Sequence, residues 1–179
     1  MFGTGVSVVA SIHLSQNNNK AANIIITQAF NVATLLMIIV AIAVFLFRVP
    51  FLRLLGCSDV LLPLCQQYLI PILPGCIFIV IQMIGTFAIR LDGSPKFAAS
   101  LEIFPGLLNI FLDWLFVFPM QMGIAGSAIA SSISCAVAAG MVVWYMFWGA
   151  QTVRICRLKL SVTSLYLTGR NVGYMARSG

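Results

Sequence analysis

Four long apolar runs constrain this chain more than anything else in it. They cover residues 24–47, 69–89, 98–118 and 124–148, with 21 to 25 residues in each. At about 1.5 Å of rise per residue, helices of that length reach about 31–38 Å. This is enough to cross a hydrocarbon core of about 30 Å. Lipid offers no partner to a backbone N–H or C=O, so each run must satisfy its own backbone, as an α-helix does. Composition agrees: 61% of the 179 residues are hydrophobic and 8% are charged, against about 25% charged in a soluble domain. With a mean hydropathy of +1.05, a soluble fold would have too little polar surface to stay dispersed. The expected fold is an all-α membrane protein.

The net charge of +6 does not point to nucleic acid. The ten basic residues are scattered over the loops and form no patch with interleaved aromatics. In a membrane chain, basic loops report orientation. Numbering the loops alternately by side, one side receives Lys20, Arg90, Lys96, Arg154, Arg157 and Lys159, and the other receives Arg48 and Arg53. Six against two places the first side in the cytoplasm of a multi-pass protein of the cell (inner) membrane. Aromatic anchors fit this layout: Trp144, Tyr145 and Trp148 close the last run at its inner end, and Trp114 and Phe118 lie near the outer end of the run before it.

A fifth apolar run, residues 2–14, is too short to cross and reads as the end of a helix that begins upstream. It lacks the basic start and small-residue cleavage site of a signal peptide. The connections "SQNNNKAAN", "RVPFLRLLGCSDV", "RLDGSPK" and "PMQMG" are short and polar, as loops within one bundle are. Residues 1–160 are therefore expected to form one partial transmembrane lobe of four full helices and one partial helix. Residues 161–179 are expected to be a cytoplasmic tail or linker.

Helices in lipid associate through small residues and interhelical hydrogen bonds. In the last run Gly126, Ala130, Ser134 and Ala138 recur every fourth residue, beside a second row of Gly123, Ser127, Ser131, Cys135 and Ala139. These rows predict close helix packing or the polar wall of a cavity. Pro71 and Pro74 open one run as static kinks. Pro105 lies deeper in the next, where a kink can also serve as a flexible point. The five cysteines form no CxxC pair and no ligand spacing, so reduced thiols acting as small hydrophobes are expected, ahead of a disulfide or metal site.

Asp113 is the residue that packing does not account for. It lies in "LLNIFLDWLFVF", five residues from the end of its run, and nothing else there can neutralise a charge. An ionised carboxylate in hydrocarbon costs about 3 kcal/mol at the helix centre on insertion scales. It must face water, carry a proton, pair with a cation, or be held by a structural hydrogen bond. Asn109 is four residues earlier and shares its helix face. Gln82 and Thr86 repeat the spacing in another run, where such residues also serve as packing contacts. His13, the single histidine, reads as an interfacial residue rather than a proton relay. No serine–histidine–acid set, paired carboxylates, phosphate loop or metal cluster is present in the sequence, so no enzyme activity is expected.

Three stretches carry a family resemblance. "GTGVSVVASIHLSQNNNKAA" and "MIGTFAIRLDGSPKFA" resemble the second helix with its loop, and the fourth helix with its loop, of the multidrug and toxic compound extrusion (MATE) transporters. "LLNIFLDWLFVF" followed by "MGIAGSAIASSIS" resembles their fifth and sixth helices, and this pair is the most specific part. The resemblance implies spans two to six of the first lobe of a twelve-helix exporter, with the loop after the second helix in the cytoplasm. It further implies export of drugs or organic cations in exchange for H+ or Na+, with no other cofactor, from within the lipid bilayer and together with a second lobe. By resemblance, Asn109 and Asp113 match the polar pair of the fifth helix that binds the cation or proton. Ser131 keeps a hydroxyl where the sixth helix has Thr, and Thr86 falls where Asn is common. Trp114 stands where Pro commonly follows the Asp, and Ser15 replaces a common Gly. Two other readings accompany this one: a flippase-type exporter of the same superfamily, and a non-transporting remnant.

Overall fold

The computed structural model describes residues 10–12, 15 and 19–150. His13, Cys156, Arg154, Arg157, Lys159 and the 161–179 segment lie outside them, as does most of the 2–14 run. Among the described residues all regular structure is helical. Helix α1 is Asn19–Leu46, α2 is Arg48–Leu54, α3 is Leu62–Leu91, α4 is Pro95–Val117 and α5 is Gly123–Trp144. A π-helical turn, Tyr145–Gly149, extends α5. Helices α1, α3, α4 and α5 are long and apolar enough to cross a membrane. The connectivity puts Lys20, Arg90 and Lys96 at one end of the bundle and Arg48 and Arg53 at the other. These ends are called inner and outer below, following the basic residues.

Two features of the sequence reading are corrected. The polar connection after the first run contains a helix, α2, which follows α1 after a single non-helical residue, Phe47. Pro71 and Pro74 do not open α3; they lie inside it. The helix begins nine residues before Pro71, with Pro63 in its first turn, where a missing N–H costs nothing. Gln66 and Gln67 lie in the opening turns and kept these turns out of the apolar run. The two later prolines are tolerated because packed neighbours re-satisfy freed backbone groups in membrane helices.

Glycine in the left-handed region ends two helices. Gly56 has φ +86° after α2, and Gly93 has φ +85° after α3. After α2, the Gly56 N–H donates to the Arg53 carbonyl and the Cys57 N–H to the Leu52 carbonyl, both at 3.0 Å. After α3, Gly93 and Ser94 repeat the pattern on Arg90 and Ile89. This paired bonding satisfies the last helical carbonyls and turns the chain sharply.

The core lies toward the inner end. Ile26, Ile89, Leu101 and Val142 are fully buried, and Ala88, Ala98 and Tyr145 pack with them. Toward the outer half of α1 the side chains are exposed and apolar, including Leu35, Leu36, Ile39 and Ile42, as lipid-facing residues are. Helix α5 packs on α3 and α4, and α1 packs on α3.

The α5 rows divide by role. Gly126, Ala130, Ser134 and Ala138 are all buried, as the packing reading predicts. In the second row Ala139 is buried, while Ser127, Ser131 and Cys135 are half-buried and Gly123 is exposed. The other half of the α3–α5 seam comes from α3. A Cβ on Gly75 would stand 2.8 Å from Ser132 Oγ, and one on Gly85 would overlap Val142. Ser132 also donates to the Pro71 carbonyl. Gly75–Ser132 and Gly85–Val142 are each 57 residues apart in sequence (132−75 and 142−85), so α3 and α5 run parallel in constant register.

Candidate functional site

Helix α4 carries the candidate site toward the outer end. Asp113 lies four residues before the helix ends at Val117, about 6 Å along the axis. Its Oδ1 is buried and has no hydrogen-bond partner among the described residues. The other three acids of the sequence all have partners. Asp59 meets Arg53 at 3.0 Å, Glu102 meets Arg90 at 2.9 Å, and Asp92 accepts from the Tyr145 hydroxyl at 2.9 Å. An unsatisfied buried polar atom is costly, so Asp113 stands apart in the molecule.

One turn below it, Asn109 Nδ2 donates to Ser131 Oγ at 3.3 Å, joining α4 to α5. Two of the residues singled out in sequence, 22 positions apart, are thus in contact. They line a groove of about 390 Å³ that also includes Gln82, Glu102, Pro105 and Ser134. Asp113 is not among its lining residues. Thr86 lies in an adjoining recess of about 320 Å³, with Gln82, Met83, Phe87, Arg90 and Glu102. Its hydroxyl donates to its own helix, at the Gln82 carbonyl, 2.9 Å away. Gln82 and Glu102 belong to both hollows, which makes them adjacent parts of one wall. The site therefore brings Asn109 and Ser131 together, with Asp113 one turn away, and sets Thr86 apart.

Sequence reasoning missed one group here, Glu102, and one bond, that of Gln82. Glu102 was not singled out, although it pairs with Arg90 and lines both hollows. Gln82 bonds across to the Leu101 carbonyl at 2.9 Å. Pro105 has no N–H, so it leaves the carbonyl four residues earlier, that of Leu101, without its helical donor. The position of Pro105 was the signal that such a donor was needed.

Asp113 supplies a carboxylate, Asn109 an amide oxygen and Ser131 a hydroxyl oxygen, a set of hard oxygen donors. Among the described residues no group of three or more His, Cys, Asp or Glu side chains could hold a metal ion.

The comparisons with known proteins agree with this architecture. The MatE family model matches residues 1–115. A curated relative, the FAD transporter of Shewanella oneidensis, is 26% identical over 140 residues, covering 76% of this chain and 31% of that protein. A MATE structure in a bent conformation superposes with a TM-score of 0.85 at 20% identity, covering 97% of this chain and 40% of that one. The Vibrio cholerae MATE transporter VcmN in its bent form gives 0.82 at 21% identity, with 99% and 41% covered. The chain thus spans about a third of the relative's length and about two fifths of these structures. A match over 115 of 179 residues, joined to the same fold, shows that this chain belongs to the MatE family of membrane transporters.

Proposed function

We propose that this chain forms part of one lobe of a cation-coupled exporter of small organic molecules, and that Asp113 takes up and gives back the coupling H+ or Na+. The observation that carries the reading is the buried, unpartnered Oδ1 of Asp113 one turn from the Asn109–Ser131 bond. A purely structural carboxylate would be held by donors, as Asp92 is by Tyr145. A carboxylate that alternates between two states is served by an open acceptor. In one state a proton or cation neutralises it; in the other, water reaches it from the outer side, near which it lies. Asn109 and Ser131 contribute oxygen donors when the ion is bound. The groove along α3, α4 and α5 is the lobe's side of the cargo path. Alternating access needs a second unit to rock against.

The test uses a complete transporter carrying this chain's sequence, reconstituted in proteoliposomes. An imposed proton or sodium gradient should drive drug efflux, and Asp113→Asn should abolish it. Asn109→Ala should weaken it less. Undiminished efflux by Asp113→Asn would refute the assignment. The chain by itself should give no ion-driven efflux.

A second reading concerns the cargo. The relative from Shewanella oneidensis is named an FAD transporter, and here Arg90, which a phosphate would have to draw from its exposed pair with Glu102, shares one recess with Phe87. A cation beside an aromatic ring suits a planar cargo that carries phosphate better than it suits an organic cation. Cells expressing the complete transporter would then accumulate flavin fluorescence in the medium without gaining drug resistance.

A further inference from the structure

Helix α2 ends in the Gly56 turn, and this turn decides where Cys57 points. The Cys57 N–H is fixed to the Leu52 carbonyl at 3.0 Å, so the residue folds back over the end of α2. The chain then re-enters a helix. Leu61 and Leu62 donate to the Ser58 carbonyl at 3.0 Å, and Cys65 donates to Leu61 at 2.9 Å, within the first turns of α3. Arg53 and Asp59 clip the loop across its width at 3.0 Å. These constraints bring Cys57 Sγ to 3.2 Å from Cys65 Sγ, its hydrogen-bond partner. Both cysteines are half-buried.

A disulfide has its sulfurs about 2.05 Å apart, so the two atoms need approach by only about 1 Å, within the reach of side-chain rotation. The loop lies at the outer end of the bundle, on the side with two basic residues against six on the other. Outside the cytoplasm, cysteine pairs in reach of each other oxidise and stay oxidised. We propose that Cys57 and Cys65 are an oxidation site that forms an intramolecular disulfide on the outer face, fastening α2 and its loop to α3. The site needs no coupling ion and no cargo; it rests only on the outer placement of this loop.

The co-reactant is a protein or small-molecule disulfide of the outer compartment. One cysteine thiolate attacks it, forming a mixed disulfide and releasing one thiolate. The second cysteine then displaces the remaining thiolate, closing the 57–65 bond. The two protons lost by the cysteines end on the two released thiols, and the oxidant is reduced by two electrons. The hydrogen bond to Cys65 holds the Cys57 proton and pushes that thiol up from its ordinary value. Thiolate is the reactive form, so uncatalysed oxidation is slow and exchange with a disulfide oxidant is the expected route.

The experiment counts free thiols in the chain of five cysteines. Membranes from a bacterial host with an oxidising periplasm are denatured in detergent with excess N-ethylmaleimide, and intact mass is measured before and after reduction. The native chain should take three labels unreduced and five after reduction, and run as a monomer on a non-reducing gel. Cys57→Ser and Cys65→Ser should each take four labels in both conditions. Cys76→Ser should take two and then four. Five labels on the unreduced native chain would overturn the proposal. An impermeant maleimide on whole cells then tells why: labelling of Cys57 means that the pair is reachable but does not close, and protection means that the loop faces inward.

Discussion

The side-chain amide of Gln82 donates to the backbone carbonyl of Leu101 at 2.9 Å, the carbonyl that Pro105 leaves without a donor. A kink made on α4 is thus made good by a side chain from α3. This accounts for a polar residue in an otherwise apolar stretch of α3, and it places Gln82 on the wall of both hollows. Removing the donor should leave the carbonyl unsatisfied at a cost of about 1–3 kcal/mol. Gln82→Leu should therefore lower the melting temperature of the detergent-purified transporter. In a Pro105→Ala background the helix supplies its own N–H, so the same change should be close to neutral. Equal losses in both backgrounds would show that Gln82 stabilises by some other contact.

The α3–α5 seam should reject added bulk. Gly85→Ala places a methyl group against Val142, and Gly75→Ala places one against Ser132. Overpacking of this kind costs about 1–3 kcal/mol. Both variants should lower thermal stability. Gly140→Ala, with nothing within 4 Å of the new methyl group, should be neutral or slightly stabilising, since Ala favours the helix over Gly by about 1 kcal/mol.

At the inner end, the Tyr145 hydroxyl lies 2.9 Å from Asp92 Oδ2 and 2.7 Å from Ser94 Oγ, and its ring stacks on Phe97 with centroids 4.8 Å apart. This contact ties the π-helical turn after α5 to the α3–α4 loop. Tyr145→Phe keeps the stack and removes the hydroxyl. It should cost about 1–2 kcal/mol and speed proteolysis at the loop around Gly93, measured in inside-out vesicles. An unchanged cleavage rate would mean that the stack alone holds the loop.

Sidedness rests on the basic residues and is directly measurable. Lys96, which opens α4, and Met120, which precedes α5, are both exposed at opposite ends of the bundle. In a background without the native cysteines, Met120→Cys should react with an impermeant maleimide on whole cells and Lys96→Cys should not. The reverse pattern would invert the assignment of inner and outer ends.

The spans were legible in the sequence because hydrophobic length is the quantity lipid selects for. Residues 98–118 and 124–148 lie within two residues of α4 and of α5 with its π-helical turn at every boundary but the start of α4. The start of α3 was missed by seven residues because Gln66 and Gln67 interrupt the apolar run without interrupting the helix. The family resemblance named Asn109 and Ser131 on successive helices, but their contact is a finding of the structure. The Gln82–Leu101 and Arg90–Glu102 contacts join different helices, and periodicity within one helix says nothing of rotation between two. Cys57 and Cys65 lie eight apart, a spacing with no meaning until the left-handed Gly56 turn folds the loop back.

The central claim is that Asp113 exchanges the coupling ion, and ion release on cargo binding measures this most directly. A complete transporter carrying this chain's sequence would be held in weakly buffered detergent solution with a pH dye, or loaded with radioactive Na+, and then mixed with saturating drug. The account predicts release of protons or Na+ from the unaltered protein and loss of the Asp113-dependent share in Asp113→Asn, with normal membrane abundance and an unchanged melting profile. Release by Asp113→Asn equal to that of the unaltered protein would contradict it.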